Sequence, residues 1–238
     1  MHVKRITIHP DKFPVRDAYP FNLKVIQETP GLEFTAPVTF LVGENGSGKS
    51  TLLTALSYAC GIYIWQGDTR TRAAYNPYER LLYNCVSVEW ADGHVPGSYF
   101  SAELFQNFSR IVDEWASTDP GVLDYYGGQS LLTQSHGQSL MSYFRARFSI
   151  KGLYLMDEPE AALSPQSQLA LLDELHRAAG VGAAQFVIAT HSPILLACPG
   201  ALIYSFDRVP VSSIGYRETE HYKLYLKFLQ NPVPRPPE

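Results

Sequence analysis

The sequence has few cysteines and no long hydrophobic run. Its three cysteines, Cys60, Cys85 and Cys198, are odd in number and far apart, so we expect no disulfide framework and predict a cytoplasmic location. No window approaches the ~20 apolar residues of a membrane helix. The N-terminus also lacks the apolar run of a signal peptide. Direct insertion into a membrane is therefore not expected.

An excess of positive charge is also missing. The chain has 19 Lys and Arg residues against 23 Asp and Glu residues, which gives a formal net charge of −4 at pH 7. Nucleic acid would therefore have to be bound through a local patch or through a partner protein. The segment 66–80 carries Arg70, Arg72 and Arg80. It is interpreted either as a solvated loop or as a small basic patch.

Hydrophobic residues are plentiful, at 45% of 238 residues, which is enough for a full core. Apolar runs alternate with segments of helical spacing, and this alternation predicts an α/β core with a mostly parallel sheet flanked by helices. The runs expected to be buried strands are 38–42, 153–156 and 186–189. An antiparallel β wing is predicted from shorter segments at 3–8, 23–26 and 32–35. Two further strands, 84–90 and 98–102, are expected on either side of a turn at 91–93.

One glycine-rich motif, residues 43–50, fits the pattern G-x-x-x-x-G-K-[ST] between a predicted strand and a predicted helix. Its glycines let backbone N–H groups surround an anion at the start of the helix. We expect Lys49 to reach the β- and γ-phosphates of a nucleotide and to act in catalysis, and Ser50 to hold Mg²⁺. The predicted nucleotide-binding residues are Gly43, Glu44, Asn45, Gly46, Ser47, Gly48, Lys49, Ser50 and Thr51.

Two further motifs follow predicted strands and so emerge at the same edge of the sheet. The strand 153–156 ends in Asp157 and Glu158. Asp157 is predicted to position Mg²⁺, and Glu158 to orient or deprotonate the attacking water. His191 follows the strand 186–189 and is expected to hydrogen-bond the γ-phosphate as a catalytic sensor. The structural alternatives are an acidic surface turn and a packed or capping histidine.

With these motifs the chain resembles ABC-type ATPase heads, and in particular small stand-alone ATPases of the AAA family that are related to SMC and DNA-repair heads. The resemblance implies a P-loop NTPase fold, ATP as substrate, Mg²⁺ as cofactor and an ATP-dependent homodimer. Too few residues separate Ser50 from the region before Asp157 for the long coiled-coil arms of those relatives.

The resemblance also implies a signature rich in Ser and Gly shortly before the acid pair. Two stretches qualify, 127–129 and 135–139, and the second is preferred because it directly precedes a predicted helix. Ser135 and Gly137 would then contact the nucleotide held by the opposite subunit. The chain departs from the family at Ser164, where many members have Asp.

Two further candidate residues lie outside these motifs. Glu103 is a candidate γ-phosphate and Mg²⁺ sensor, with Gln106 as the other option and a helix-start acid as the structural alternative. Tyr19, with Phe21 close behind, is a candidate for stacking on the adenine, although turn packing is an equal interpretation.

The implied organisation is a single ATPase domain over residues 1–238. Its expected parts are the wing and first core strand (1–42), an inserted lid and signature region (66–138), the core (139–217) and a C-terminal helix and tail (218–238). The expected function is an ATP-driven dimer switch in DNA maintenance or defence, with DNA or a nuclease as partner. The alternative is the ATP-binding subunit of an ABC transporter.

Overall fold

The fold was analysed in a computed structural model that describes residues 1–65, 76–126, 128–133 and 136–231. The strands are β1 (Val3–Ile8), β2 (Gly31–Glu33), β3 (Val38–Val42), β4 (Val86–Trp90), β5 (Gly97–Ser101), β6 (Gly152–Asp157), β7 (Ala184–Ala189), β8 (Leu202–Ser205) and β9 (Ser212–Ser213). The α-helices are α1 (Lys24–Glu28), α2 (Lys49–Ala59), α3 (Ala102–Thr118), α4 (His136–Phe148), α5 (Pro165–Gly180) and α6 (Glu220–Gln230).

The main sheet has six strands in the order β5-β6-β7-β3-β8-β9, and all pairs except β8–β9 are parallel. The central strands β3, β6 and β7 lie side by side, and their ends are in register. Asp157 of β6 pairs with Ala189 of β7, which in turn pairs with Leu41 of β3. The segments that leave these three strands therefore start next to one another, which confirms the predicted α/β class and parallel core.

The alternation of side chains along the strands places two separate hydrophobic clusters on the two faces of the sheet. Phe40, Met156 and Ile188 point to one face, where they pack with apolar residues of α4 and α5. Leu41 and Leu155 point to the other face, where they pack with α2 and with the antiparallel sheet. The phosphate-loop helix is thus seated on the sheet by its own buried leucines.

The wing is a separate antiparallel sheet in the order β2-β1-β4, as predicted. The buried Gln185 of β7 attaches it to the core: its Oε1 accepts hydrogen bonds from the backbone N–H groups of His2 (2.6 Å) and Val3 (2.8 Å), and its Nε2 donates to Val3 O (2.9 Å). A buried amide that is satisfied on both sides fixes β1 relative to β7.

One local prediction is wrong. The segment 23–26 forms part of helix α1 rather than a strand, because Val25 and Ile26 are both buried, and tertiary burial outweighs the strand preference of β-branched residues. The two strands predicted on either side of the turn at 91–93 are present as β4 and β5, but they do not pair with each other. Strand β4 pairs with β1 in the wing, whereas β5 pairs with β6 in the main sheet, where Tyr99 and Phe100 are buried on opposite faces.

In the part of the chain that the structure describes, no helix combines the length and apolar character needed to cross a lipid bilayer. All three cysteines are buried free thiols. Helix α6 differs from the other long helices because none of its residues is buried. It is held at its start, where Thr219 Oγ1 accepts the backbone N–H of Tyr222 at 3.2 Å.

Candidate nucleotide site

The glycine-rich loop runs from the end of β3 to the start of α2 through backbone conformations that favour glycine. Gly43 has φ 149° and Gly48, the residue before α2, has φ 104°. A Cβ atom on Gly48 would lie 3.1 Å from Val25 Cγ1 of α1, and one on Gly43 would lie 3.0 Å from Asp207 Oδ1. The loop is therefore packed closely against its surroundings. The first turn of α2 presents backbone N–H groups that lack partners within the helix, as an anion site requires.

Lys49 folds back on this loop. Its Nζ donates to the carbonyl oxygens of Gly43 (2.7 Å) and Glu44 (2.8 Å), and the residue is 5% exposed. Burial lowers the pKa of Lys49, and the nearby carboxylates of Glu158, Asp207 and Asp157 partly oppose that shift. A buried ammonium that donates to two carbonyl oxygens is suited to exchange them for phosphate oxygens.

Ser50 and Asp157 meet across the gap between α2 and β6. Ser50 Oγ donates to Asp157 Oδ1 at 2.9 Å, and the buried hydroxyl of Tyr99 donates to Asp157 Oδ2 at 3.3 Å. Burial raises the pKa of Asp157, and the charge of Glu158 raises it further, while the bond from Ser50 acts in the opposite direction. A nearby cation would relieve this cost.

The residues present fit Mg²⁺. Hydroxyl and carboxylate oxygens are its preferred ligands, and it is held by one or two protein groups while waters and substrate phosphates complete the shell. Ser50 and Asp157 supply two such oxygens that already touch. The described residues contain no cluster of three or more His, Cys, Asp or Glu side chains suited to a metal.

Glu158 has a strained backbone. It has φ 46° and ψ 55°, and is the one non-glycine residue with positive φ in the described ranges. Its N–H donates to Ala189 O at 2.9 Å, which ties the turn to β7. The side chain is 46% exposed, and its Oε1 lies 3.6 Å from His191 Nε2. The turn thus directs the carboxylate away from the core and towards His191.

His191 is held from two sides. Its backbone N–H donates to Glu160 Oε1 at 2.6 Å, and its ring Nδ1 lies 3.0 Å from His221 Nε2 in the first turn of α6. Burial and the charge of Lys49 lower the pKa of His191, and Glu158 partly opposes this. The ring is therefore neutral at neutral pH. Its Nε2 faces Glu158 and has no hydrogen-bond partner among the described residues.

The predicted signature borders a cavity of about 720 Å³ between α4, α5 and the loop after Glu158. Ser135 and Gly127 lie outside the described residues. Gly137, in the first turn of α4, and Gln129, from the other candidate stretch, both line this cavity. So does Ser164, whose Oγ accepts the Ser167 N–H at 3.2 Å and caps α5. Ser164, which stands where many members of the family that this chain resembles have Asp, therefore caps α5.

The remaining predicted residues fall in different environments. Tyr19 is 42% exposed, and its hydroxyl is hydrogen-bonded to Thr51 Oγ1 at 2.9 Å, so it lies beside the phosphate-loop helix. Phe21 is fully buried and packs on Phe13, which removes it as a base-stacking candidate. Glu103 is exposed in the first turn of α3. The side chain of Gln106 lies outside the described part of the chain, as do Arg70 and Arg72.

Four residues near the site were not predicted. Tyr99 contacts Asp157, and Glu160 contacts the backbone of His191. Asp207 Oδ1 accepts the Glu44 N–H at 2.8 Å. His221 contacts the ring of His191. Only Glu160 had a sequence signal, because it belongs to the acidic run after β6. The other three come from distant segments whose local patterns indicate nothing about this site.

Two family models match separate parts of the chain. Residues 21–76 match an "AAA domain". Residues 138–197 match a model described as "AAA domain, putative AbiEii toxin, Type IV TA system". The first match contains the phosphate loop, and the second contains Asp157, Glu158 and His191.

The curated relatives have low sequence identity to this chain. The chain is 28% identical over 169 residues to the Hemin import ATP-binding protein HmuV of Bradyrhizobium diazoefficiens, covering 62% of this chain and 61% of that protein. It is 26% identical over 204 residues to the ATP-dependent permease PDR12 of Saccharomyces cerevisiae, covering 78% of this chain and 13% of that protein. The chain thus spans less than two thirds of the length of either relative.

One solved structure is similar over 95% of this chain and 89% of its own, with a TM-score of 0.54 at 18% identity; it is titled "An inward-facing conformation of a putative metal-chelate type ABC transporter". This likeness shows the fold alone. It agrees with the two AAA-domain matches. The chain therefore has the P-loop fold of ABC-type ATPase heads, as its motifs predicted.

Proposed function

We propose that this protein binds and hydrolyses ATP, and that ATP closes two copies of the chain into a dimer that opens after hydrolysis. The observation that carries the proposal is the contact of Ser50 Oγ with Asp157 Oδ1 at 2.9 Å. It joins the phosphate-loop helix to the acid end of β6, beside Glu158 and His191. Three elements distant in sequence thus supply a cation-binding pair, an exposed carboxylate and a histidine to one edge of the sheet.

The residues take distinct roles in this proposal. Lys49 leaves the loop carbonyls and contacts the β- and γ-phosphates, and the N–H groups at the start of α2 hold the phosphate oxygens. Glu158 orients the attacking water and accepts its proton. His191 donates from Nε2 to the γ-phosphate. Glu103 and Tyr19 are proposed as a second sensor and as the adenine platform.

Ser50 and Asp157 would hold Mg²⁺. When bound, Mg²⁺ neutralises charge on the phosphate oxygens. Asp157 remains ionised in that state because the nearby cation favours its charged form. Tyr99 fixes the orientation of the carboxylate through its hydroxyl.

The second copy would complete the site. The cavity beside Gly137 is lined mainly by polar side chains and by the starts of α4 and α5, which suits a phosphate approached from outside. Ser135 and Gly137 of one copy would contact the γ-phosphate bound to the other. Loss of that phosphate then removes a contact that bridges the two copies, so the dimer opens.

The substitution Glu158→Gln tests this function. We expect the variant to bind ATP, to lose at least about 100-fold in turnover because the general base is absent, and to accumulate as an ATP-bound dimer. Turnover and light-scattering mass with Mg²⁺ and ATP are the measurements. Glu89→Gln, an exposed residue of β4, is the matched control and should behave like wild type. Unchanged turnover would exclude the role of Glu158, and a monomer at high concentration would exclude the dimer.

The proposal has two versions, which differ in the process that ATP hydrolysis serves. In one, the switch serves DNA maintenance or defence, and the reference to a toxin and a TA system in the description of the second family model favours this. ATPase stimulation by DNA, or co-purification with a nuclease, would support it. In the other, the chain is the ATP-binding subunit of a transporter, which the import protein among its relatives favours. Co-purification of the Glu158→Gln variant with a membrane protein would support that version.

A further inference from the structure

His221 lies beside the predicted sensor His191, although it is 30 positions away in the sequence. Its own segment holds it there. Tyr216 donates its hydroxyl to Pro193 O at 3.0 Å, and the Tyr216 and Tyr222 rings pack with centroids 4.9 Å apart. These contacts dock the start of α6 onto the turn that carries His191. The contact between the two rings is therefore built into the fold rather than made by a loose helix end.

The two histidines can share their hydrogen bond in two ways. In the first, His221 Nε2–H donates to His191 Nδ1, and the His191 proton is on Nε2. In the second, His191 Nδ1–H donates to His221 Nε2, and the His221 proton is on Nδ1. Burial is the largest cause that lowers the pKa of each ring, so both rings are neutral above pH 7 and one of these arrangements holds.

The charge of Glu158 favours the first arrangement. His191 Nε2 faces Glu158 Oε1 at 3.6 Å, so a proton there meets a carboxylate, whereas a lone pair there would repel it. His221 Nδ1 is buried and has no hydrogen-bond partner among the described residues. His191 Nε2 also lacks such a partner, so each arrangement leaves one buried N–H unpaired, and the first arrangement places that N–H in front of the Glu158 carboxylate.

We propose that His221 is the positioning residue of His191: it donates from Nε2 to His191 Nδ1 and thereby keeps the His191 proton on Nε2, directed at Glu158 and the phosphate end of the site. The consequence for catalysis rests on the proposed function, because it assumes a γ-phosphate in front of Nε2. The tautomer itself is a property of the nucleotide-free protein. It can be measured without any assumption about activity.

The test compares His221→Gln with His221→Glu, which have the same length and shape. The Gln amide can donate to His191 Nδ1, whereas the ionised Glu can only accept from it. Nitrogen NMR of ¹⁵N-histidine-labelled protein at pH 8 reports which His191 nitrogen carries the proton, and His191→Asn assigns the signal. We expect Nε2–H in wild type and in His221→Gln, and a proton on Nδ1 in His221→Glu. The pair His176→Gln and His176→Glu, at an exposed position of α5, should leave the His191 signal unchanged.

A wild-type His191 that carries its proton on Nδ1 would overturn the proposal, and that measurement needs no variant. An identical His191 spectrum in His221→Gln and His221→Glu would also overturn it. In kinetics, His221→Phe should lower kcat about tenfold or more at unchanged KM for ATP, in line with the loss of other outer-shell partners, and His221→Gln should restore it. Absence of ATP turnover in wild type would refute the proposed function and leave the tautomer result standing.

Discussion

Replacement of Lys49 by Met separates the role of this lysine in the fold from its role in nucleotide binding. Met has a similar length and no charge, so it fills the same space beneath the loop. The substitution removes two hydrogen bonds to the carbonyl oxygens of Gly43 and Glu44. Hydrogen bonds from charged groups contribute about 1.5–3 kcal/mol each when removed, which alone would predict a large loss of stability.

The lowered pKa of Lys49 predicts a smaller loss of stability than these two hydrogen bonds alone would give. The pKa of Lys49 is lowered in the folded protein, so the charged form is less favourable there than in the unfolded chain even with its partners present. Removing the charge therefore removes a cost that offsets the lost bonds. We therefore expect the loss in the free energy of unfolding without nucleotide to stay below that of one charged hydrogen bond, about 3 kcal/mol at most.

Nucleotide should distinguish the two proteins. At 100 times its Kd, ATP stabilises wild type by about 2.7 kcal/mol, or about 5–11 °C in Tm, and Lys49→Met should show no such rise. Thermal unfolding with and without Mg²⁺ and ATP measures both effects. Lys151→Met, at an exposed position before β6, is the control that should keep the rise. Two results would refute the reasoning. One is a loss of more than about 3 kcal/mol in the unfolding free energy of nucleotide-free Lys49→Met, the upper value for a single charged hydrogen bond. The other is a rise in Tm with ATP as large in Lys49→Met as in wild type.

Further substitutions test other parts of the site. Tyr19→Ala should weaken ATP binding about 5- to 150-fold if its ring stacks on the base, whereas Tyr19→Phe should bind like wild type; equal affinities in titration calorimetry would remove Tyr19 from the site. Phe21→Ala should instead destabilise the nucleotide-free protein by about 3–5 kcal/mol because Phe21 is fully buried, and a loss below 1 kcal/mol in urea unfolding would contradict that core position. Ser164→Ala should lower the free energy of unfolding by about 1 kcal/mol because it removes the α5 cap. Ser164→Asp should be as stable as wild type because Asp can also cap a helix. A destabilised Ser164→Asp would show that capping is not the contribution of Ser164.

The sequence predicted the site best where its chemistry is local. The phosphate loop, the acid pair and His191 each follow a buried apolar run, and parallel strands bring such run ends to one edge of a sheet. Knowing the strands was therefore enough to expect Asp157 and His191 near the loop. In the structure, Asp157 pairs with Ala189, and this register brings Asp157 and the turn that carries His191 to the same edge of the sheet.

What the sequence did not predict depends on contacts between distant segments. Asp207 reaches the Glu44 N–H, and His221 reaches His191, only because β8 and α6 dock beside the loop and the His191 turn. Helix α1 was predicted as a strand because its β-branched residues suit one, and the packing of Val25 beneath Gly48 decided otherwise. Local propensity gives way to tertiary packing in such short segments.

The rate of ATP hydrolysis per mole of protein, measured with Mg²⁺ over a wide range of protein concentrations, tests the central claim most directly. If two copies form each active site at Glu158, wild-type turnover per mole should rise with concentration and then level off, and Glu158→Gln should stay near the background rate throughout. A wild type without turnover, or a Glu158→Gln variant as active as wild type, would contradict the account.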